Sequence, residues 1–229
     1  MNLLIIAVAP VFIILAYIYY RDKYEKEPFA LLIRGLVAGM LITVPVIFTE
    51  QLVDATITPH FNTKISKAFS SAFLMAALCE EGFKYLAVFL LIWKNKNFNE
   101  RFDGIVYAVF VSLGFALVEN IMYVFSNGMQ VGLSRAFTAV PAHAIFGILM
   151  GYHLGLARFL PASRPFHLFN AFFFPFLFHG LYDFILMSQH PILLVCFAPF
   201  LVYMWMRAKK RLQAHSEASV FKDKPMNNQ

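Results

Sequence analysis

The chain has 229 residues, 60% of them hydrophobic and 14% charged, with a mean hydropathy of +0.65. Soluble domains carry about 25% charged residues, so this composition excludes a soluble fold and marks a membrane protein assembled from long apolar runs. The net charge of +6 lies between those runs, where basic residues orient a chain in the bilayer, so no nucleic-acid partner is expected. The two cysteines, Cys79 and Cys196, both fall inside apolar runs and exclude a disulfide framework.

Seven spans are predicted, at 2–20, 30–52, 69–93, 103–126, 136–157, 167–187 and 191–207. They describe an all-α, polytopic transmembrane bundle: a single membrane domain over residues 1–207 and a polar, flexible cytoplasmic tail over 208–229. The first run has neither a positive leader nor a small-residue cleavage pattern, so it reads as a retained helix. Fourteen of the 19 Lys and Arg residues fall in the first, third and fifth loops and the tail, against Lys64, Lys67 and Arg135 on the other side. The positive-inside rule then places the N-terminus outside and the C-terminus in the cytoplasm.

Polar residues interrupt four of these spans. The third contains LCEEGFKYL, with Glu80, Glu81 and Lys84. An ionisable side chain at the centre of a membrane helix costs about 2.5–3.5 kcal/mol on insertion scales. Lys84 follows Glu80 by four residues, so the two share a helical face. An ion pair between them leaves Glu81 unexplained.

The fourth span, GFALVENIMYVF, holds Glu119 and Asn120, and Asp103 with Gly104 begins it as an N-terminal cap. In the fifth, VPAHAIFGILMGYHLG, His143 follows Pro141. It stands one step up a stripe made by Gly147, Gly151 and Gly155, a pattern for close helix packing. The sixth, FFFPFLFHGLYDF, places His179 and Asp183 on one face, with Asp183 suited to fixing the His179 tautomer. Gly35 and Gly39 read as a second helix contact. His153 reads as interfacial, and His60, His167, His190 and His215 as surface or loop residues. Cys79 reads as packing.

Counted along spans of alternating direction, Glu80 and Glu81 lie about halfway across and Glu119 and His179 past the middle of outward runs. His143 lies in the outer third of an inward one. All fall between the midplane and the outer face, which points to one water-filled site open to the exterior.

Water attack on an amide needs a general base, oxyanion stabilisation and protonation of the leaving group. Paired carboxylates suit the first and last of these, because repulsion and burial separate their proton affinities. His143, His179 and Glu119 form a two-histidine, one-carboxylate set of the kind that holds a divalent metal, zinc first among them, with a position left for water. Without metal, Glu80 or Glu81 activates water directly, and the histidines or Asn120 hold the oxyanion. The residues leave both routes open.

The ordered set EEGFK at 80–84, FALVEN at 115–120, PAH at 141–143 and HGLYD at 179–183 resembles the PrsW family of intramembrane proteases. It is similar, more distantly, to the prenyl-protein (CAAX) processing and bacteriocin-immunity proteases, which share an EExxK/R opening. The resemblance covers roughly residues 70–187. It implies a multi-pass cell-membrane endopeptidase of bacterial type that cuts a membrane-anchored protein, such as an anti-sigma factor, on its extracytoplasmic side. It maps the family's glutamate pair to Glu80 and Glu81, its basic residue to Lys84, its second-motif glutamate to Glu119 and its histidines to His143 and His179. The prenyl-protein proteases carry histidine where this chain has Glu119, so the resemblance does not extend to prenylated substrates.

Two other classes would use the same residues differently. A proton-coupled transporter or channel uses buried Glu, His and Lys as a relay, but such folds often show internal repeats with broken helices, and no repeat is visible here. A non-catalytic factor that binds membrane proteins would keep the packing glycines and tolerate loss of the acidic pair.

Overall fold

The computed structural model describes residues 3–222. Its α-helices are α1 (Leu3–Arg21), α2 (Phe29–Thr56), α3 (Lys64–Phe69), α4 (Leu78–Ile92), α5 (Arg101–Asn127), α6 (Met129–Phe137), α7 (Ala139–Phe159), α8 (Arg164–Ser188) and α9 (Pro191–Glu217). A π-helical stretch, Ser70–Ala77, joins α3 to α4 in one continuous rod. The predicted spans correspond to α1, α2, that rod, α5, α7, α8 and α9. Six of these are long and apolar enough to cross a membrane by length and composition. The rod is the seventh. Its turn type changes midway, and it carries Glu80, Glu81 and Lys84.

Helix α5 is the axis of the bundle. Every residue from Phe102 to Leu117 is buried, the pattern of a helix surrounded by protein on all sides. Backbones approach closely on two of its faces. A Cβ on Gly39 of α2 would lie 2.0 Å from the Val111 carbonyl oxygen, and one on Gly114 would lie 2.1 Å from that of Leu36. On the other face, a Cβ on Gly151 of α7 would lie 2.1 Å from the Gly104 oxygen, and one on Gly155 would lie 2.4 Å from that of Arg101. The small-residue stripe is therefore the α5–α7 seam, as its four-residue spacing predicts.

Several boundaries differ from the sequence reading. The fifth span begins at Ala139 rather than 136, because the chain turns at Thr138 after the separate helix α6. Pro141 then occupies the first turn of α7, where a missing N–H breaks no intrahelical bond. The fourth span starts at Arg101. Asp103 caps it from the third helical position, in a reciprocal capping box with Glu100.

The tail boundary at 207 falls inside α9, which continues to Glu217. Ala208, Leu212, His215 and Ser216 recur at helical spacing and face the bundle, while Lys209 and Lys210 face outward. Residues 218–222 follow α9 outside any helix, and residues 223–229 of the expected flexible tail lie outside the described residues.

His153 and His215, read as interfacial and surface residues, are both buried. The His153 ring stacks on Phe174 with centroids 5.2 Å apart, and His215 Nε2 lies 2.9 Å from the Tyr152 carbonyl oxygen. The loop between α1 and α2 folds inward as well. Burial pushes the carboxyls of Asp22 and Glu27 up to about 7, against the pull of the Glu27 N–H on the first and the Tyr107 hydroxyl on the second.

Candidate active site

Lys84 organises the site. It is fully buried, and its ammonium donates to Glu80 Oε2 at 2.8 Å and to Glu81 Oε1 at 2.9 Å. A helix places residues i, i+3 and i+4 on one face, which is why one lysine reaches both carboxylates. The glutamate left over in the sequence reading is thus part of the same ion cluster. The Lys84 ammonium also lies 3.3 Å from His143 Nδ1 and 4.1 Å from the centre of the Phe115 ring.

These contacts set the histidine tautomer. An ammonium only donates, so His143 Nδ1 accepts and the ring proton sits on Nε2. That nitrogen faces Glu119 Oε2 at 2.9 Å. Glu119 is held in turn by Arg135 of α6, whose Nη2 donates to the same oxygen at 2.8 Å. His179 stands between two carboxylates, with Nδ1 at 2.9 Å from Glu81 Oε1 and Nε2 at 3.2 Å from Asp183 Oδ2. The two imidazole rings meet edge to face, with centroids 5.6 Å apart. Gly180 lets α8 close on the π-helical stretch, since a Cβ there would lie 2.3 Å from the Phe73 ring.

A cavity of about 280 Å³ opens beside this cluster, and its polar wall includes Glu80, Glu119, Arg135, His143, His179 and Asp183. Glu81 and Lys84 lie behind that wall, each with no exposed surface. The structure thus gathers all six expected site residues, with Asp183 in its expected place beside His179. Asn120 is not brought into the cavity. Its Nδ2 donates to the Ala7 carbonyl oxygen at 2.8 Å and its Oδ1 accepts from Arg135 Nε at 2.9 Å, so it ties α1 and α6 to α5.

Two residues at the cavity were missed. Arg135 was read as a loop charge, although it is one of only three basic residues assigned to the outer side. Glu50 of α2 also lines the cavity. Its signal was a carboxylate inside a predicted span.

The donor set can be tested for a metal. Both ring nitrogens of His143 and of His179 already face charged partners, so the expected Glu119–His143–His179 set presents no common point with free lone pairs. A second group, Glu80, Glu81 and His143, has ligand atoms within 4.8 Å of one another. Those are the three residues that surround the Lys84 ammonium. The charge and donor types suit a cation there, and the cation they hold is Lys84. As arranged, the site does not fit a metal ion.

A model of the family described as "PrsW family intramembrane metalloprotease" matches residues 27–206. This chain belongs to that family. It is 38% identical over 220 residues to Protease PrsW of Oceanobacillus iheyensis, covering 96% of this chain and 99% of the relative. It is 35% identical to Protease PrsW of Clostridioides difficile, over 90% of this chain and 87% of the relative. For Protease PrsW of Bacillus subtilis the figures are 33%, 86% and 88%. No solved structure matches. Membership makes the chain a peptidase, and its helices make it a multi-pass membrane protein.

Proposed function

We propose that the chain is an endopeptidase that cleaves a single-span, membrane-anchored protein, of which an anti-sigma factor is the model, near the extracytoplasmic face. The observation that carries this reading is the cavity itself. It presents one carboxylate, Glu80, with an oxygen not held by Lys84, between two histidines that are each backed by their own carboxylate.

In this reading Glu80 Oε1 takes a proton from a water in the cavity. The water oxygen attacks the scissile carbonyl carbon. The N–H groups of His143 Nε2 and His179 Nε2 turn from Glu119 and Asp183 to the developing oxyanion, while Lys84 at His143 Nδ1 and Glu81 at His179 Nδ1 keep the rings aimed. The C–N bond then breaks, and Glu80 returns its proton to the leaving amine nitrogen. Glu81 does not touch substrate. It holds Lys84 and the far side of His179, so that Glu80 keeps one fixed geometry. The charge asymmetry of the loops supports an outward-facing cavity end, which is where a site-1-type cut falls.

Zinc is the second reading. It is favoured by the family's description as metalloproteases and by the three ligand-type residues within 4.8 Å of one another. It requires Lys84 to withdraw from the glutamate pair. Metal analysis of purified protein with cleavage assays before and after 1,10-phenanthroline separates the two. The glutamate route gives full activity without bound metal. Loss on chelation and rescue by zinc would establish the metal route instead.

A further inference from the structure

A second cluster of acidic side chains lies at the other end of α5. Asp103 and Glu119 are 16 residues apart, about 24 Å along the helix axis, so this cluster is separate from the cavity. The loop between α1 and α2 brings Glu25 and Glu27 against the first turn of α5. Each of the three carboxylates there has one oxygen engaged. Asp103 Oδ2 accepts the N–H groups of Asn99 at 2.8 Å and Glu100 at 2.7 Å. Glu27 Oε2 accepts the Tyr107 hydroxyl, and Glu25 Oε1 accepts from Asn99 Nδ2 at 3.3 Å.

The other oxygen of each one, Asp103 Oδ1, Glu27 Oε1 and Glu25 Oε2, is buried and accepts from no N–H or hydroxyl group, although the Glu27 and Asp103 carboxyls lie within hydrogen-bond reach of each other. Asp103 is 0% exposed and Glu27 is 3% exposed. One carboxylate oxygen from each residue lies within 4.8 Å of the others. Among the described residues, no Lys, Arg or His nitrogen comes within 4.0 Å of any of them; the ion pairs there all belong to the cavity cluster.

Burying unpaired carboxylates is costly unless a counter-charge reaches them. We infer that Glu25, Glu27 and Asp103 form a binding site for one hard divalent cation, Mg²⁺, Ca²⁺ or Mn²⁺, that clips the α1–α2 loop to the start of α5. The donor chemistry selects this class, because three carboxylate oxygens with no sulfur or imidazole suit hard cations rather than zinc. The arrangement of the second oxygens supports it too. Ligating carboxylates are themselves held by hydrogen bonds, and here backbone N–H groups, a tyrosine hydroxyl and an asparagine amide hold one oxygen of each and leave the other free. The ordinary rival is a proton shared between Glu27 and Asp103, which would satisfy two of the three oxygens with no metal.

The test uses the full chain, purified in detergent and stripped of metal, titrated with Mn²⁺. Bound Mn²⁺ is counted by electron paramagnetic resonance, and the melting temperature is followed with Mn²⁺, Mg²⁺ and Ca²⁺ separately. The site predicts one Mn²⁺ per chain, a melting temperature that rises with added divalent cation, and at least a tenfold weaker Mn²⁺ affinity in Glu27→Gln and in Glu25→Gln. Glu25 is only half-buried and caps no helix, so its variant keeps the test open if Glu27→Gln fails to fold. Glu80→Gln should leave the Mn²⁺ count at this site unchanged. No stoichiometric Mn²⁺ in the wild type, or the same affinity in the Glu25 variant, would overturn the inference. So would a melting temperature that responds to pH and to none of the three cations, the behaviour of a shared proton.

Discussion

Lys84 shows how much one residue decides. A lysine with two carboxylates at i−3 and i−4 exchanges three separately unfavourable burials for one compact ion cluster. Removing its charge as Lys84→Met leaves two buried carboxylates facing each other. Breaking a buried ion pair costs about 3–5 kcal/mol, so this variant should melt far below the wild type or fail to accumulate, read by thermal unfolding in detergent. Glu80→Gln differs, since the amide keeps the shape and accepts from Lys84. It should fold normally and lose about 10²–10⁴-fold in cleavage rate, the usual contribution of a general base.

Most of this cluster was legible in the sequence, because charges inside apolar spans have no inexpensive alternative to meeting one another. Arg135 and Glu50 were not. Arg135 reaches Glu119 across 16 residues and a helix boundary, and no periodicity carries such a contact. Glu50 sits near the end of a span, where a carboxylate also has water to face.

At the scale of elements, the two backbone-to-backbone seams around α5 fix where the site residues stand. Glu119 is on α5 and His143 on α7, so the α5–α7 seam sets their 2.9 Å contact. The glycine spacing announced that seam. Gly151→Val should push the helices apart, costing at least the about 1–3 kcal/mol of ordinary overpacking, and should lower kcat even in the fraction that remains folded. Thermal unfolding and single-turnover cleavage on the same preparation check both parts.

The π-helical stretch at Ser70–Ala77 left no readable signal, since an i→i+5 turn shares its composition with an α turn. The break at Thr138 did leave one, a threonine at the N-cap with Pro141 in the turn that follows. The continuation of α9 to Glu217 was hidden by its charge. RAKKRLQAHSE reads as a solvated tail until Ala208, Leu212 and His215 are seen as one face at helical spacing.

For the whole molecule, the alternation of basic loops predicts that the cavity faces out. In a background with Cys79 and Cys196 replaced by alanine, Asn127→Cys should react with a membrane-impermeant maleimide added to intact cells, and Asn95→Cys should react only after lysis. The reverse pattern would invert the topology and move the cut to the cytoplasmic side. Fold class followed from hydropathy, since a bilayer admits few ways to satisfy the backbone. The count of seven also needed the alternation of basic loops, because the rod that carries Glu80, Glu81 and Lys84 is not among the six helices long and apolar enough by length and composition. The pairing of helices did not follow from either, because it depends on which polar faces meet.

The central claim is that these spans enclose one hydrolytic site in which Glu80 activates water. Reconstituting the wild type and Glu80→Gln in liposomes with a single-span reporter, and measuring cleavage by mass spectrometry, tests it most directly. The account predicts a cut in the outer half of the reporter's span by the wild type and none above background by an equally well-folded Glu80→Gln. Cleavage by Glu80→Gln at the wild-type rate would contradict it.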